Sequence, residues 1–233
     1  VKVIMGFLEL AAAFKFISNS DLVWKWDFFN REVVLFIWVV ILLCIAFYSL
    51  GFILFPNDTK PNKISLRRKI VFLITIILGM YLSTGLFAKK IYKGNSSILK
   101  FTSGLVESYL PPPPSQWIED LDKAFVKAKL LNKPLFLDFT GYTCTNCRWM
   151  EINVFEEPEI QKLFENFILV KLYTDGTEEK HKIYRELEVN RFKTSALPFY
   201  VILSPDDKEL ARFPGMDPDI EKFASFLKDA IKF

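Results

Sequence analysis

The sequence predicts α-helical transmembrane segments followed by an α/β domain with a central mixed sheet flanked by helices. Three observations carry that prediction. Residues 33–55 and 70–88 contain no charged side chain over 23 and 19 positions. As helices rising about 1.5 Å per residue, each run crosses about 30 Å of hydrocarbon. Neither shows the polar stripe of a buried core helix. Charge divides the chain at the same place: residues 1–114 carry 13 Lys and Arg against 6 Asp and Glu, whereas residues 115–233 carry 17 against 21. Beyond the apolar runs, the periodicity switches between helical and strand character in the order α, β-α-β, α, β-β-α.

A third apolar segment, residues 3–17, contains Glu9 and Lys15 and opens the chain on Val1 rather than Met. It is expected to be the end of a longer membrane domain, because no A-x-A-like cleavage site follows it. Residues 1–88 form this membrane part. Its orientation follows from loop charge. Residues 56–69 hold Lys60, Lys63, Arg67, Arg68 and Lys69 against Asp58, whereas residues 19–32 hold only Lys25 and Arg31 as cations. The positive-inside rule makes the first loop cytoplasmic and places residues 89–233 outside, although Lys89, Lys90 and Lys93 reduce the asymmetry. Trp24, Trp26 and Trp38 suit an interfacial belt. Cys44 lies mid-span as a small apolar packing residue. Glu9, ionisable within the membrane, is a candidate functional residue by that fact alone.

Residues 89–115 lack periodicity and end in Pro111-Pro112-Pro113-Pro114, a polyproline spacer of about 3.1 Å per residue. Residues 116–233 form the α/β domain. Ser115 is placed as the N-cap of a helix through Leu131, with Trp117, Ile118, Leu121, Ala124, Phe125, Ala128 and Leu131 at helical spacing. Strands follow at 134–140, 168–173, 199–203 and 209–213, the last two joined by a turn at 204–207. Helices are expected at 144–155, 157–164, 178–188 and 218–233. Ile183, Tyr184 and Leu187 supply the apolar side of the 178–188 helix, and His181 among its charged neighbours is expected to face solvent.

Cys144-Thr145-Asn146-Cys147 begins the helix that follows the first strand. Unpaired amide N–H groups at a helix N-terminus favour thiolate and lower a cysteine pKa from about 8.5. The two-residue spacing lets the second sulfur reach the first on one helical turn, the arrangement needed for dithiol–disulfide exchange. A closed zinc site needs four ligands, and the chain adds only Cys44 and His181. A structural bridge closing so short a loop would constrain the unfolded chain little. No metal, cofactor or nucleic-acid partner is expected.

Residues 136–151, Phe-Leu-Asp-Phe-Thr-Gly-Tyr-Thr-Cys-Thr-Asn-Cys-Arg-Trp-Met-Glu, and 195–201, Ser-Ala-Leu-Pro-Phe-Tyr-Val, resemble a thioredoxin domain. With residues 1–10 and 19–22, nearly the whole chain resembles the C-terminal portion of the DsbD family of membrane thiol:disulfide interchange proteins. The resemblance implies a redox-active Cys144–Cys147 disulfide, with Cys144 the exposed nucleophile and Cys147 the buried resolving thiol. It implies that Asp138 is a buried acid exchanging protons with Cys147. The alternation of Leu137, Asp138 and Phe139 by itself leaves open which face is buried. Glu151 matches a second acidic position, and an ordinary solvated helix charge fits it as well. Pro198 matches the fold's cis-proline, so that Leu197 would present its backbone to an extended substrate, with trans proline at a strand start as the alternative. Tyr142 and Thr143 occupy flanking positions that are aromatic in classical thioredoxins, and Thr145-Asn146 replaces Gly-Pro; these departures bear on potential and partner choice.

The function so implied is a protein-disulfide reductase of the bacterial inner membrane, multi-pass, with its thioredoxin-like domain in the periplasm. Electrons would arrive from cytoplasmic thioredoxin through an upstream membrane redox domain, and leave to extracytoplasmic disulfide isomerases or cytochrome c maturation proteins. Membrane lipid is the other expected partner. The alternatives are a membrane-anchored binding or chaperone module in which the cysteines are dispensable, and a disulfide oxidase.

Overall fold

A computed structural model describes residues 2–26, 28–56, 58, 63–91 and 117–231. The chain divides into two compact units, Val1–Ser97 and Ile98–Phe233. The expected polyproline spacer and the Ser115 cap lie outside the described residues.

The first unit contains α1 (Lys2–Trp24), α2 (Arg31–Leu50) and α3 (Leu66–Ile91). All three are long and apolar enough to cross a membrane, with mean hydropathies of 1.3, 2.9 and 1.9 over Lys2–Trp24, Glu32–Leu50 and Leu66–Leu86. The first helix therefore outruns the expected segment 3–17 by about two turns. Its extension is held by Asp21, a buried residue whose carboxylate accepts the Phe28 and Phe29 amides at 3.2 and 3.0 Å. α2 ends before residue 55 because Gly51 takes the left-handed conformation, φ 81°, and its N–H caps Phe47 and Tyr48. Val34, Leu35, Ile41, Leu42, Ile45 and Ala46 of α2 are buried, while Glu9 sits on an exposed face of α1. Trp38 does not point freely outward: its indole N–H donates to the Ala11 carbonyl at 3.1 Å.

The second unit runs α4 (Leu121–Leu131), β1 (Leu135–Thr140), α5 (Thr145–Asn153), α6 (Pro158–Phe164), β2 (Ile168–Tyr173), α7 (Glu179–Phe192), β3 (Phe199–Leu203), β4 (Glu209–Pro214) and α8 (Ile220–Ile231). The four strands form one mixed sheet in the order β2-β1-β3-β4. β1 pairs β2 in parallel and β3 antiparallel, and β3 pairs β4 antiparallel.

β1, β2 and β3 alternate between two cores, and β4 adds Phe213 to one of them. Phe136, Tyr200 and Ile202 face α5, α6 and α8 through Met150, Ile160, Phe223 and Leu227. Leu135, Leu137, Phe139, Val170 and Val201 face α4 and α7 through Ala124, Ala128, Tyr184 and Phe192. Phe136 is the aromatic hub of the first core, ringed by Trp117, Phe155, Phe164, Tyr200 and Phe223 at centroid distances of 5.0–6.2 Å.

Two expectations fail here. The first helix of the domain starts at Leu121, where the Asp120 side chain accepts the Lys123 amide at 3.0 Å. Trp117 and Ile118 precede it outside the helix. Ile118 bridges Val170 and packs on the α4/α7 side, whereas Trp117 stacks on Phe155 on the other side. Their apolar pattern was that of alternation, not of a helical stripe. In α7 the buried positions are His181, Tyr184, Glu188 and Phe192, and Ile183 is exposed. His181 is thus 1% exposed rather than solvated.

Candidate active site

Strand register collects the site at one end of the sheet. The last residue of β1, Thr140, pairs with Tyr173 at the end of β2, and Phe139 pairs with Phe199 at the start of β3. The segments after β1, after β2 and before β3 therefore meet at the same edge. They carry Cys144, Asp175 and Pro198. β4 ends there too, and the Gly215 amide donates to the Pro198 carbonyl at 2.9 Å.

Cys144 and Cys147 are disulfide-bonded, with Cα atoms 5.3 Å apart. Cys144 is the N-cap of α5, and its sulfur accepts the Cys147 amide at 3.2 Å. A helix-terminal N–H directed at sulfur is what favours a thiolate there once the bridge is reduced. Cys144 is half-buried and Cys147 fully buried, so only the first sulfur is open to a large partner.

Below the motif lies a buried cluster of four charged groups. Asp138 shares its sheet face with Phe136 and Tyr200, which settles the face that the sequence left open: it is directed to the side covered by α5. It is 1% exposed, and among the described residues neither carboxylate oxygen has a hydrogen-bond partner. Burial, reinforced by the nearby Glu151 charge and opposed by Lys171 and Arg148, pushes its pKa up to about 7. Glu151 takes both cations: the Arg148 guanidinium reaches Oε2, and Lys171 Nζ lies 2.9 Å from Oε1. It is therefore a paired, mostly buried acid, not a solvated helix charge. Arg148 also reaches Thr140 Oγ1 at 3.4 Å, and Lys171 lies 5.2 Å from the centre of the Trp117 ring. The Tyr200 hydroxyl, opposite Asp138 in register, is buried without a hydrogen-bond partner among the described residues, and burial drives its pKa well upward.

The loop leading into α5 is shaped by Asp175, which the sequence did not single out, and by His181, which it placed in solvent. Asp175 accepts hydrogen bonds from the Tyr142 amide at 2.8 Å, the Thr143 amide at 3.1 Å and the Thr143 hydroxyl at 3.0 Å. Tyr142 stacks on Tyr173 at 3.9 Å between centroids, with ring planes 2° apart. Its hydroxyl lies 3.4 Å from His181 Nε2. His181 Nδ1 accepts the Glu178 amide at 3.2 Å, which assigns the neutral ring a proton on Nε2. Burial raises the pKa of both tyrosines, which stay protonated at neutral pH. The Leu197–Pro198 peptide is cis, Pro198 is buried and Leu197 half-buried.

Fold and site together are those of a thioredoxin-like α/β domain carrying a Cys-x-x-Cys pair. Residues 116–205 match the thioredoxin-like family. Mouse (Mus musculus) spermatogenesis-associated protein 20 is 34% identical over 93 residues, 40% of this chain and 12% of that protein. An uncharacterized protein of Caenorhabditis elegans is 33% identical over 94 residues, 40% of this chain and 13% of that protein. The chain thus spans about an eighth of the length of these curated relatives. Among solved structures, a DsbH oxidoreductase superposes with a TM-score of 0.43 at 23% identity, covering 53% of this chain and 88% of that one. The oxidised C-terminal domain of DsbD from Neisseria meningitidis superposes with a TM-score of 0.41 at 16% identity, covering 49% and 98%.

Proposed function

We propose that this chain is a membrane-anchored protein-disulfide reductase that exchanges thiols through Cys144 and Cys147. The observation that carries the reading is the half-buried Cys144 sulfur capping α5 above a fully buried Cys147. In the reduced state the Cys144 thiolate attacks one sulfur of a substrate disulfide. The substrate S–S bond breaks, a mixed disulfide forms and the first substrate thiolate leaves. Cys147 then gives its proton to Asp138 and attacks the Cys144 sulfur. The second substrate thiolate leaves and takes a proton, and two electrons have passed from the dithiol to the substrate. A carboxyl pKa of about 7 lets Asp138 accept and return that proton near neutrality. The Leu197–Pro198 segment, on the same sheet edge, supplies backbone for an extended substrate, beside Tyr142 and Thr143.

Recharging the disulfide requires an outside reductant. The proposal assigns this to an upstream membrane dithiol domain fed from cytoplasmic thioredoxin, with delivery to extracytoplasmic disulfide isomerases or cytochrome c maturation proteins. Its support is the DsbD-like residue pattern, the three helices able to cross a membrane and the basic loop at 56–69. These features favour a bacterial inner membrane with the domain on the periplasmic side.

Trapping tests the exchange roles. Cys147→Ala is expected to accumulate a stable mixed disulfide with partner proteins, and Cys144→Ala none. Equal trapping by both variants would overturn the roles. The direction is tested by the equilibrium potential of the chain against glutathione, since a value near that of a strong oxidant would make it a disulfide oxidase instead.

A further inference from the structure

Asp175, just beyond β2, holds the loop that leads into the cysteine motif. Its carboxylate engages three donors of Tyr142 and Thr143. The approach is close enough to dictate the residue at 141. A β-carbon on Gly141 would stand 2.7 Å from Asp175 Oδ2 and 3.3 Å from the Cys144 β-carbon. Oδ2 and the Cys144 β-carbon are therefore within about 6 Å of each other, a separation over which a fixed charge still acts on a thiolate at a partly exposed site. Glu119, Glu178 and Asp175 all place charge near Tyr142, but it is Asp175 whose carboxylate is hydrogen-bonded to the loop backbone.

We infer that Asp175 is a positioning residue that fixes the loop before Cys144 and holds back the acidity of the Cys144 thiol. The inference rests on the dithiol reading above. Two opposed influences then meet at one sulfur. The α5 N-terminus draws the thiol toward thiolate, through the Cys147 N–H that points at it. The Asp175 charge opposes that from the loop side. Three hydrogen bonds keep the carboxylate where it is, so the opposition is built into the fold and does not depend on a mobile side chain.

The test uses the full chain in detergent with Cys147→Ser, which leaves Cys144 as the single thiol of the motif. The rate of Cys144 alkylation is followed against pH by mass spectrometry, in the Asp175 background and in Asp175→Asn and Asp175→Ala. Asparagine keeps the size and one acceptor oxygen but removes the charge. The expected result is a Cys144 pKa lower by about half to one unit in both variants, a three- to tenfold faster alkylation below the pKa. Raising the salt should lower the pKa with Asp175 present and leave the Asn variant nearly unmoved. An unchanged pKa in both variants overturns the inference, as does a shift confined to the Ala variant, which would leave Asp175 a purely structural clamp. Alkylation needs no turnover, so it decides Asp175 separately from the exchange reading, whose own failure would show as absent trapping by Cys147→Ala.

Discussion

Asp138 and Lys171 are register partners on β1 and β2, yet the lysine's ammonium is ion-paired with Glu151 at 2.9 Å and Asp138 has no hydrogen-bond partner among the described residues. The two cations of the cluster are committed to one acid, so the other is the one that takes up a proton as pH falls through about 7. Asp138 titrates at about 7 in the fold against an ordinary 3.8. With the folded pKa raised, the native state binds more protons than the unfolded chain between those values. Stability therefore falls as pH rises from about 4 to about 7, and the full cost is present above that. Three units correspond to about 4 kcal/mol as an upper figure. Asp138→Asn should flatten this slope and stabilise the oxidised domain by a few kcal/mol at pH 8, while slowing disulfide exchange at least tenfold. Urea unfolding at pH 5 and pH 8 measures the first effect. A variant with the parent's pH slope would refute the assignment of the proton to Asp138.

Glu151 answers a different question, since it is the common anion of Arg148 and Lys171, both nearly fully buried. Glu151→Gln leaves two buried cations facing one another without their counter-charge. Breaking a buried pair by removing one partner costs about 3–5 kcal/mol. The cations left behind should pull on Asp138 instead, and the loss of the Glu151 charge acts in the same direction. The Asp138 carboxyl pKa is thus expected to drop below 7 in this variant, read by carboxyl NMR or infrared titration of the oxidised chain. A pKa that stays put or rises would show that Glu151 does not shape the Asp138 environment.

What the sequence made legible and what it did not follow from the range of the interactions involved. The strands at 168–173 and 199–203 were legible because each is a short apolar run between turns, and the structure returns the same bounds. The cysteine motif was legible because its chemistry is local: a strand, two thiols and a helix start in one stretch. Lys171 offered a usable signal, a lone charge inside an otherwise apolar strand, whose burial demands a counter-charge. Asp175 and His181 offered none. Each acts on residue 142 across more than thirty positions, and a polar residue in a loop or on a charged helix looks solvated until the fold brings its partner. The Trp117–Ile118 misplacement arose because two adjacent apolar residues fit a helical stripe and a strand pair equally, and the Asp120 cap decided between them.

Gly176 lets the His181 ring close behind Tyr142. A β-carbon at 176 would stand 2.1 Å from Nδ1 and 2.4 Å from Cε1 of that ring. His181 has little freedom to yield, being buried, with Nδ1 bonded to the Glu178 amide. Gly176→Ala should therefore displace the ring and release Tyr142, with a cost of about 1–3 kcal/mol typical of overpacking. His181→Gln, which preserves an acceptor without the ring, should lose less stability. Thermal unfolding of the two variants side by side checks this. Equal and negligible losses would mean that the ring moves away freely and does not anchor Tyr142.

Loop charge gives an orientation that labelling can check directly. The segment between α2 and α3 includes Lys63 and the exposed Ser65, and the first turn of α3 adds Arg67, Arg68 and Lys69. Under the proposed orientation the positive-inside rule puts that basic stretch in the cytoplasm, and α3, long and apolar enough to cross a membrane, is expected to separate it from the cysteine domain. In a Cys44→Ser, Cys147→Ser background, a membrane-impermeant maleimide applied to intact cells should label Cys144 strongly. With Ser65→Cys added and Cys144→Ser, labelling should appear only after the membrane is permeabilised. The two readouts are expected to be opposite because the proposed orientation puts one crossing of about 30 Å between the sites. Labelling of residue 65 in intact cells together with protection of Cys144 would invert the topology. It would place the dithiol in the compartment where a soluble glutathione pool keeps it reduced without a membrane relay.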